Sequence, residues 1–256
     1  MKKTDNANLK NKKKGGILEH ERTEYLILDN VGFEVTEAFR NFKASLSVSI
    51  PKKSGKATSL IITSSCPEDG KTTVAVNLAM MFALSNAKVI LIDADIRKGR
   101  ISNFFKVKNT PGLVDYLSGQ VSLDEVTHKS ELNENLSFMA SGTRTPRPYE
   151  LLESEEMKSL LQELKGLYDY VILDTPPLVV VSDALALTSE VNGTIVVCRH
   201  ESSYVKDIAN TLDKLKFAKA NVLGVVVNGY NNAKAKSSYH YNRYNEYNKY
   251  YLSEEE

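Results

Sequence analysis

The sequence predicts an α/β fold in which a mainly parallel sheet carries helices on both faces. Short β-branched runs that are almost continuously apolar indicate strands covered on both faces, and they lie at residues 59–63, 88–93, 170–174, 194–198 and 222–228. Helical patterns precede or separate these runs, at residues 35–46, 71–85, 155–167 and 204–217. Strands that alternate with helices are typical of a parallel α/β domain.

The 256 residues fit one domain with a tail at each end. We predict a basic flexible segment over residues 1–30, a folded domain over 31–230 and a disordered, tyrosine-rich tail over 231–256. Residues 1–14 carry six lysines against one aspartate. Such a stretch is either a solvated tail, which we favour, or a contact for an anionic membrane surface. A net charge of +1 gives no whole-chain argument for nucleic acid, and none is expected as a partner.

The compartment predicted from the sequence is the cytoplasm. Cys66 and Cys198 are too few and too far apart for a disulfide framework, which favours a reducing environment. No apolar run approaches the roughly 20 residues that span a bilayer. The charged N-terminus lacks the apolar region of a signal peptide.

A phosphate-binding loop is predicted between the first strand and the helix that begins near residue 71. Gly70 would let the backbone approach phosphate oxygens, and Lys71 would reach the β- and γ-phosphates. The Thr72 hydroxyl is the expected Mg²⁺ ligand, with Thr73 nearer the α-phosphate. The general pattern has Gly where this chain has Ser65. The predicted nucleotide-binding residues of this loop are Ser65, Cys66, Pro67, Glu68, Asp69, Gly70, Lys71, Thr72 and Thr73.

Three aspartates follow two other predicted strands, Asp93 and Asp95 after one and Asp174 after another. Ligands of open α/β sheets bind outside the carboxyl ends of the strands, so these carboxylates and Lys71 are expected in one crevice. A carboxylate at such a strand end holds Mg²⁺ directly or through water. The sequence therefore predicts a P-loop NTPase-like fold that binds ATP and Mg²⁺, with catalytic residues Lys71, Asp93, Asp95 and Asp174.

With these motifs the chain resembles the bacterial tyrosine kinases of capsule and exopolysaccharide systems, in the Gram-positive form of a separate cytoplasmic kinase subunit. The resemblance covers about residues 34–256. It includes IDADIR (92–97), which is similar to the second acidic motif of that family. Further similar segments are NTPGLVDYLSG (109–119), SGTRTPRPYELL (141–152), DTPPLVVVSDAL (174–185) and ANVLGVVVNGYN (220–231).

The resemblance implies that the kinase phosphorylates its own tail. Six of the 13 tyrosines lie within 13 positions there, at Tyr239, Tyr241, Tyr244, Tyr247, Tyr250 and Tyr251. It also implies metal ligands Thr72, Asp95 and Asp174, with Asp93 facing the incoming hydroxyl. Asn228 would lie near the adenine.

The resemblance also implies partners. Glu37, Arg40 and Lys43 match a family motif for ring assembly, Glu-x-x-Arg-x-x-Arg, and spacings of three place them on one helical face. Lys at the last position cannot make the bidentate fork of Arg. Other implied partners are a membrane adaptor that recruits and activates the kinase at the inner face of the membrane, a cognate tyrosine phosphatase, and substrates such as sugar-nucleotide enzymes.

Two alternatives and one side prediction stay open at this point. A partition or division-site ATPase shares this fold type but carries a signature Lys early in the loop, where this chain has Ser65, Cys66 and Pro67. An ATP-binding regulatory protein without transfer chemistry is the other alternative. Cys66, close to a helix N-terminus, is expected either to have a lowered thiol pKa or to be an inert filler.

Overall fold

The computed structural model describes residue 26 and residues 32–50 and 57–230. Its sheet has seven strands in the order β3-β4-β2-β5-β1-β6-β7. All neighbouring strands are parallel except β3, which pairs antiparallel with β4. The strands are β1 (Thr58–Ser64), β2 (Val89–Asp93), β3 (His128–Lys129), β4 (Leu136–Met139), β5 (Tyr170–Asp174), β6 (Gly193–Arg199) and β7 (Val222–Asn228). The predicted fold class is therefore confirmed.

Eight α-helices lie in the described part of the chain. They are α1 (Phe33–Ser49), α2 (Lys71–Ala83), α3 (Ile101–Phe104), α4 (Leu113–Leu117), α5 (Leu123–Val126), α6 (Pro148–Glu153), α7 (Glu155–Leu167) and α8 (Val205–Phe217). A 3₁₀ stretch at Asp183–Glu190 precedes β6. Most of the predicted tails, residues 1–25 and 231–256, lie outside the described residues. Within the described part, no helix is long and apolar enough to cross a membrane.

Alternate residues of the central strands face opposite layers of helices, as the period of two requires. In β1, Leu60 and Ile62 pack with α2 in one core cluster. Ile61 packs with α7 in the other cluster, where Leu160 and Leu164 are buried. Each fully buried side chain of this size contributes about 1.5–3 kcal/mol, so the strand is fixed from both sides.

The edge strand β7 departs from the expectation that all five predicted strands are covered on both faces. Its residues are half-buried or exposed, and Val225 and Val227 are 42% and 54% exposed. The reason is its place at the end of the sheet, where only β6 pairs with it. An apolar run therefore indicates a strand here but not its degree of burial.

The parallel register brings the predicted carboxylates to one edge. Asp93 and Asp174 end β2 and β5 and are direct register partners. The last residues of β1 stand beside β5, with Ile62 opposite Asp174. β1 continues into the loop that leads to α2. The C-terminal ends of β1, β2 and β5 therefore lie at the same crevice.

Candidate nucleotide and catalytic site

The loop between β1 and α2 has the backbone that a phosphate cradle needs. Gly70 has φ +88° and forms the N-cap of α2, and Glu68 also has a positive φ, +68°. A side chain at Gly70 would place its Cβ 1.9 Å from Nδ2 of Asn228. Glycine is therefore required here for both its conformation and its size. The N–H groups of the first turn of α2 have no partner within the helix and can face an anion.

Asp69 holds this loop in shape from within. Its Oδ2 accepts hydrogen bonds from Oγ of Ser65 (2.9 Å) and N of Cys66 (2.8 Å). Its Oδ1 accepts one from Oγ of Ser203 (2.7 Å), which lies between β6 and α8. Asp69 is only 2% exposed. The carboxylate is thus a structural brace, a role that the loop pattern alone did not indicate.

Asn228, at the end of β7, also contacts the loop. Its Nδ2 donates to the carbonyl of Asp69 (3.0 Å) and lies against Gly70. Nη1 of Arg199, at the end of β6, donates to the carbonyl of Glu68 (3.3 Å). The C-terminal ends of β6 and β7 thereby hold the loop in place. The expected contact of Asn228 with adenine stays a prediction; the contact described here is with the loop.

Lys71 and Thr72, at the start of α2, meet two of the predicted aspartates. Nζ of Lys71 lies 3.0 Å from Oδ2 of Asp95 and 3.5 Å from Oδ1 of Asp174. Oγ1 of Thr72 donates to Oδ2 of Asp174 at 2.6 Å. All four side chains are almost completely buried. The structure therefore brings Lys71, Thr72, Asp95 and Asp174 together as predicted.

The charges of this cluster are strongly coupled. Burial alone would lower the pKa of Lys71, but the carboxylates of Asp174 and Asp95 outweigh it and raise the pKa above its usual value. Lys71 is thus a cation at neutral pH. Burial raises the pKa of Asp174, although Lys71 and the Thr72 hydroxyl act in the opposite direction.

Asp93 is fully buried and stands opposite Asp174 in the neighbouring strand. Its Oδ2 accepts a hydrogen bond from N of Ile101 (2.9 Å), whereas Oδ1 has no hydrogen-bond partner in the described structure. Burial, followed by the charge of Asp174, raises its pKa from 3.8 to about 8. In the free protein, Asp93 therefore keeps its proton to a higher pH than an ordinary aspartate does. Its predicted contact with an incoming hydroxyl stays a prediction.

The donor set fits Mg²⁺. A Mg²⁺ ion in a nucleotide site typically takes one or two carboxylates, a hydroxyl, waters and phosphate oxygens. Thr72, Asp95 and Asp174 offer oxygen ligands of that kind. Among the described residues, no group of three or more His, Cys, Asp or Glu side chains could hold a metal ion by itself.

Two further buried carboxylates organise the surrounding loops, and sequence reasoning assigned them no role. Oδ2 and Oδ1 of Asp183 pair with Nε and Nη2 of Arg97 (2.5 and 3.1 Å), joining the loop after β2 to the 3₁₀ stretch. Asp115 accepts hydrogen bonds from N of Gly112 (2.8 Å) and Oγ1 of Thr143 (2.7 Å). Both lie in segments that the family resemblance singled out, which was the available signal.

The expectation that the Cys66 thiol has a lowered pKa is wrong. Burial raises the pKa of the thiol, and so do the carboxylates of Asp207 and Asp69. The Sγ lies 3.6 Å from Oδ2 of Asp207, a residue of α8. A thiolate beside two carboxylates is disfavoured more than the helix N-terminus favours it, so the inert reading holds.

The predicted assembly residues lie on α1, and two of them contact each other. Glu37 pairs with Arg40 along the helix, and Arg40 remains 60% exposed. Nζ of Lys43 donates to Oγ of Ser85, just after α2, so this lysine is engaged within its own chain. The assembly role stays a prediction. The six tail tyrosines, from Tyr239 to Tyr251, lie outside the described residues.

Sequence comparison adds the decisive observation. The family model described as an AAA domain matches residues 68–223. Tyrosine-protein kinase YwqD of Bacillus subtilis (strain 168) is 36% identical over 194 residues, which cover 76% of this chain and 81% of that protein. The chain belongs to the bacterial tyrosine-protein kinases. This confirms the family predicted from the motifs.

Other members of this kinase family are longer. A putative tyrosine-protein kinase in the cps region of Klebsiella pneumoniae is 35% identical over 204 residues, but the chain spans only 28% of its length. Among solved structures, the kinase domain of Escherichia coli tyrosine kinase ETK superposes with a TM-score of 0.76 at 34% identity, covering 80% of this chain and 79% of that one.

The fold extends beyond the kinases. The septum site-determining protein MinD of Pyrococcus horikoshii, solved with Mg-ADP, matches with a TM-score of 0.58 at 24% identity, covering 68% of this chain and 71% of that one. A likeness at this identity shows a shared fold alone.

Proposed function

We propose that this kinase transfers the γ-phosphoryl group of Mg·ATP to tyrosine hydroxyls, and that its own tail is a substrate. The observation that carries the proposal is the convergence of Lys71, Thr72, Asp95 and Asp174 in one buried crevice of a tyrosine-kinase family member. The tail supplies acceptors at Tyr239, Tyr241, Tyr244, Tyr247, Tyr250 and Tyr251.

In the transfer, the bond between the γ-phosphorus and the oxygen of ADP breaks while the tyrosine oxygen forms a new bond to the same phosphorus. The phenolic proton leaves to a base, for which Asp93 or Asp95 is available. Charge develops on the phosphoryl oxygens, and positioning with electrostatic stabilisation accounts for most of the catalysis of such reactions. The Lys71 ammonium, held by Asp95 and Asp174, is pre-positioned to stabilise that charge.

Thr72, Asp95 and Asp174 would hold the Mg²⁺. When bound, the ion neutralises phosphate charge and orients the transferred group. Lys71 would then exchange part of its contact with the carboxylates for contact with phosphate oxygens. The loop that Asp69 braces would present the N–H groups of the first turn of α2 to the phosphates.

The relative from the cps region of Klebsiella pneumoniae supports a role in capsule or exopolysaccharide synthesis and export. We propose a cytoplasmic location at the inner face of the membrane, through a membrane adaptor that also activates the kinase. A cognate tyrosine phosphatase and sugar-nucleotide enzymes would be further partners. Copurification of the kinase with the cytoplasmic segment of the adaptor tests this part.

The exposed Arg40 of α1 supports the proposal of ring assembly, in which the tail of one protomer reaches the crevice of its neighbour. Each phosphate adds about −1.5 to −2 charge to the tail. Repulsion between phosphorylated tails would then loosen the ring.

Incubation of the purified protein with Mg·ATP, followed by mass spectrometry for phosphotyrosine, tests the proposed activity. Lys71→Met should abolish tail phosphorylation while the fold persists by circular dichroism. A matched control is Lys216→Met, because Lys216 is an exposed lysine near the end of α8 and should leave phosphorylation unchanged. Phosphotyrosine that persists in purified Lys71→Met protein would contradict the kinase assignment.

A further inference from the structure

A dense group of positive side chains lies beside the crevice. Residues 97–112 and 140–149 contain seven Lys or Arg and no Asp or Glu. Among these seven, Arg97 forms a salt bridge with the buried Asp183. The remaining six are exposed and form no ion pair with any described residue. We name them the basic surface: Lys98, Arg100, Lys106, Lys108, Arg144 and Arg147.

The fold joins the two segments that carry the basic surface. Nδ2 of Asn109 donates to the carbonyl of Gly142 at 2.7 Å, and N of Gly142 donates back to the carbonyl of Asn109 at 3.0 Å. Gly99 packs so closely on Ser141 that a Cβ there would lie 2.2 Å from its Oγ. The six cations therefore belong to one continuous region of the protein.

This region borders the catalytic crevice. A Cβ at Gly99 would lie 2.7 Å from Oδ2 of Asp93, and Asp93 also receives the N–H of Ile101. The acidic residues nearest to the region along the chain do not neutralise it from outside, since Asp93, Asp95 and Asp115 are buried. Asp95 and Asp115 are in addition engaged in hydrogen bonds within the fold. Glu150 is the first exposed acid that follows. An anionic segment beside the crevice would thus meet mostly unpaired cations.

We propose that the basic surface binds the acidic end of the tail, Glu254–Glu256, and so presents Tyr250 and Tyr251 to the crevice before the other tail tyrosines. The inference rests on the proposed tail phosphorylation. The tail offers one compact block of acid, the three glutamates at its end, while Lys234, Lys236, Arg243 and Lys249 precede it.

The spacing along the chain suits this arrangement. Glu254 follows Tyr251 by three residues, and an extended chain covers at most about 3.3–3.6 Å per residue. Anchoring of the glutamates therefore keeps Tyr251 within roughly 11 Å of the basic surface. Tyr239 is 15 positions from Glu254 and is not confined in this way. The hydroxyls of the tail tyrosines are chemically equal. Electrostatic anchoring thus favours phosphorylation of those that it holds close to the crevice.

The test measures the order of phosphorylation in the full chain. Aliquots taken early after addition of Mg·ATP are digested, and the initial rates at Tyr250 and Tyr251 are compared with those at Tyr239 and Tyr241. In wild-type protein the ratio of these rates should exceed one. A triple variant with Gln at 254, 255 and 256 leaves the folded domain untouched and should lower the ratio about fivefold, since one exposed ion pair contributes up to about that factor.

The double variant Arg144→Glu with Arg147→Glu changes the basic surface instead of the tail. It should lower the same ratio at least as much as the triple glutamine variant does. The charge-matched control is Lys216→Glu with Lys219→Glu, at the end of α8 and thus at the opposite edge of the sheet; it should not change the ratio. Lysines at 254, 255 and 256 combined with Arg144→Glu and Arg147→Glu should restore the wild-type order. At 1 M salt, where the Debye length is about 3 Å, the preference should vanish.

The outcomes separate the two proposals. Absence of phosphotyrosine from wild-type protein refutes the kinase function itself. Normal total phosphotyrosine with an unchanged order in the glutamine variant and in the double Arg variant overturns the docking. Loss of sedimentation with phosphatidylserine vesicles in the double Arg variant, again with an unchanged order, also overturns it and assigns the basic surface to the membrane. ADP affinity equal to wild type excludes misfolding as the cause of a changed order.

Discussion

Replacing Asp93 with Asn tests whether burial raises the pKa of the Asp93 carboxyl. The neutral amide keeps the shape of the protonated carboxyl and can still accept the N–H of Ile101. In the wild-type protein the folded state holds this proton up to a pH of about 8, whereas an unfolded Asp loses it near 3.8. The folded state therefore binds more protons than the unfolded state across that window.

The sign follows from proton linkage. Where the folded state binds the extra proton, stability falls as pH rises, by at most about 1.4 kcal/mol per pH unit for one group. The contribution of Asp93 is thus fully present below pH 4 and is lost by about pH 8. From pH 6.0 to 7.5, wild-type protein should lose up to about 2 kcal/mol relative to Asp93→Asn. Contributions from Lys71 and Asp174 are present in both proteins and largely cancel.

Urea unfolding of the metal- and nucleotide-free proteins, in EDTA at pH 6.0 and 7.5, measures this difference. A wild-type-to-variant difference that is equal at both pH values would refute the raised pKa of Asp93. Kinetics give a second readout: if Asp93 is the base, the phosphorylation rate should rise with pH as its carboxyl loses the proton. A pH-independent rate over 6.0–8.0 would argue against Asp93 in that role.

Four other outcomes are expected. Asp174→Asn should reduce phosphorylation by about 100-fold or more with little loss of stability; a collapse of thermal stability with normal activity per folded molecule would make Asp174 structural. Cys66 should react slowly with iodoacetamide at pH 7.5, because its pKa is raised; rapid labelling that ADP blocks would contradict this. Arg97→Ala should cost about 1–3 kcal/mol in urea unfolding, since it leaves Asp183 buried without its partner, and Asp183→Asn in the same background should recover part of it. Arg40→Ala should yield monomers by light scattering with chromatography; an unchanged mass would argue against α1 as the assembly helix.

Much of the central sheet was predictable because its strands are nearly continuous apolar runs. For the strand at 170–174, the predicted bounds are the same as those in the structure. Its burial follows from the helices on both faces of the sheet. The strand Leu136–Met139 was missed because it has only four residues, one of them a serine, and so shows no clear pattern of apolar residues. Its identity comes from pairing with β2, which is a tertiary contact.

The site was predictable where a loop motif or the end of an apolar strand marks its residues, and not where a supporting contact comes from a distant segment that no motif marks. Gly70, Lys71 and Thr72 act through local geometry, and the structure assembles them as expected. The brace on Asp69 depends on Ser203, 134 positions away. The thiol pKa of Cys66 is raised by burial and then by the charge of Asp207, which lies 141 positions further along the chain. No local pattern contains either partner.

The position of β5 has a consequence for how the enzyme is made. This strand lies between β1 and β2, although about 80 residues separate it from the end of β2 in the sequence. Until it inserts, β1 and β2 have no strand joining them, and Thr72 lacks Asp174, its partner 102 positions later. The crevice is therefore a late product of folding, governed by slow non-local pairing. During synthesis, a nascent chain that ends before residue 170 should be unable to retain nucleotide, so ribosome-bound intermediates of that length are expected to have no kinase activity.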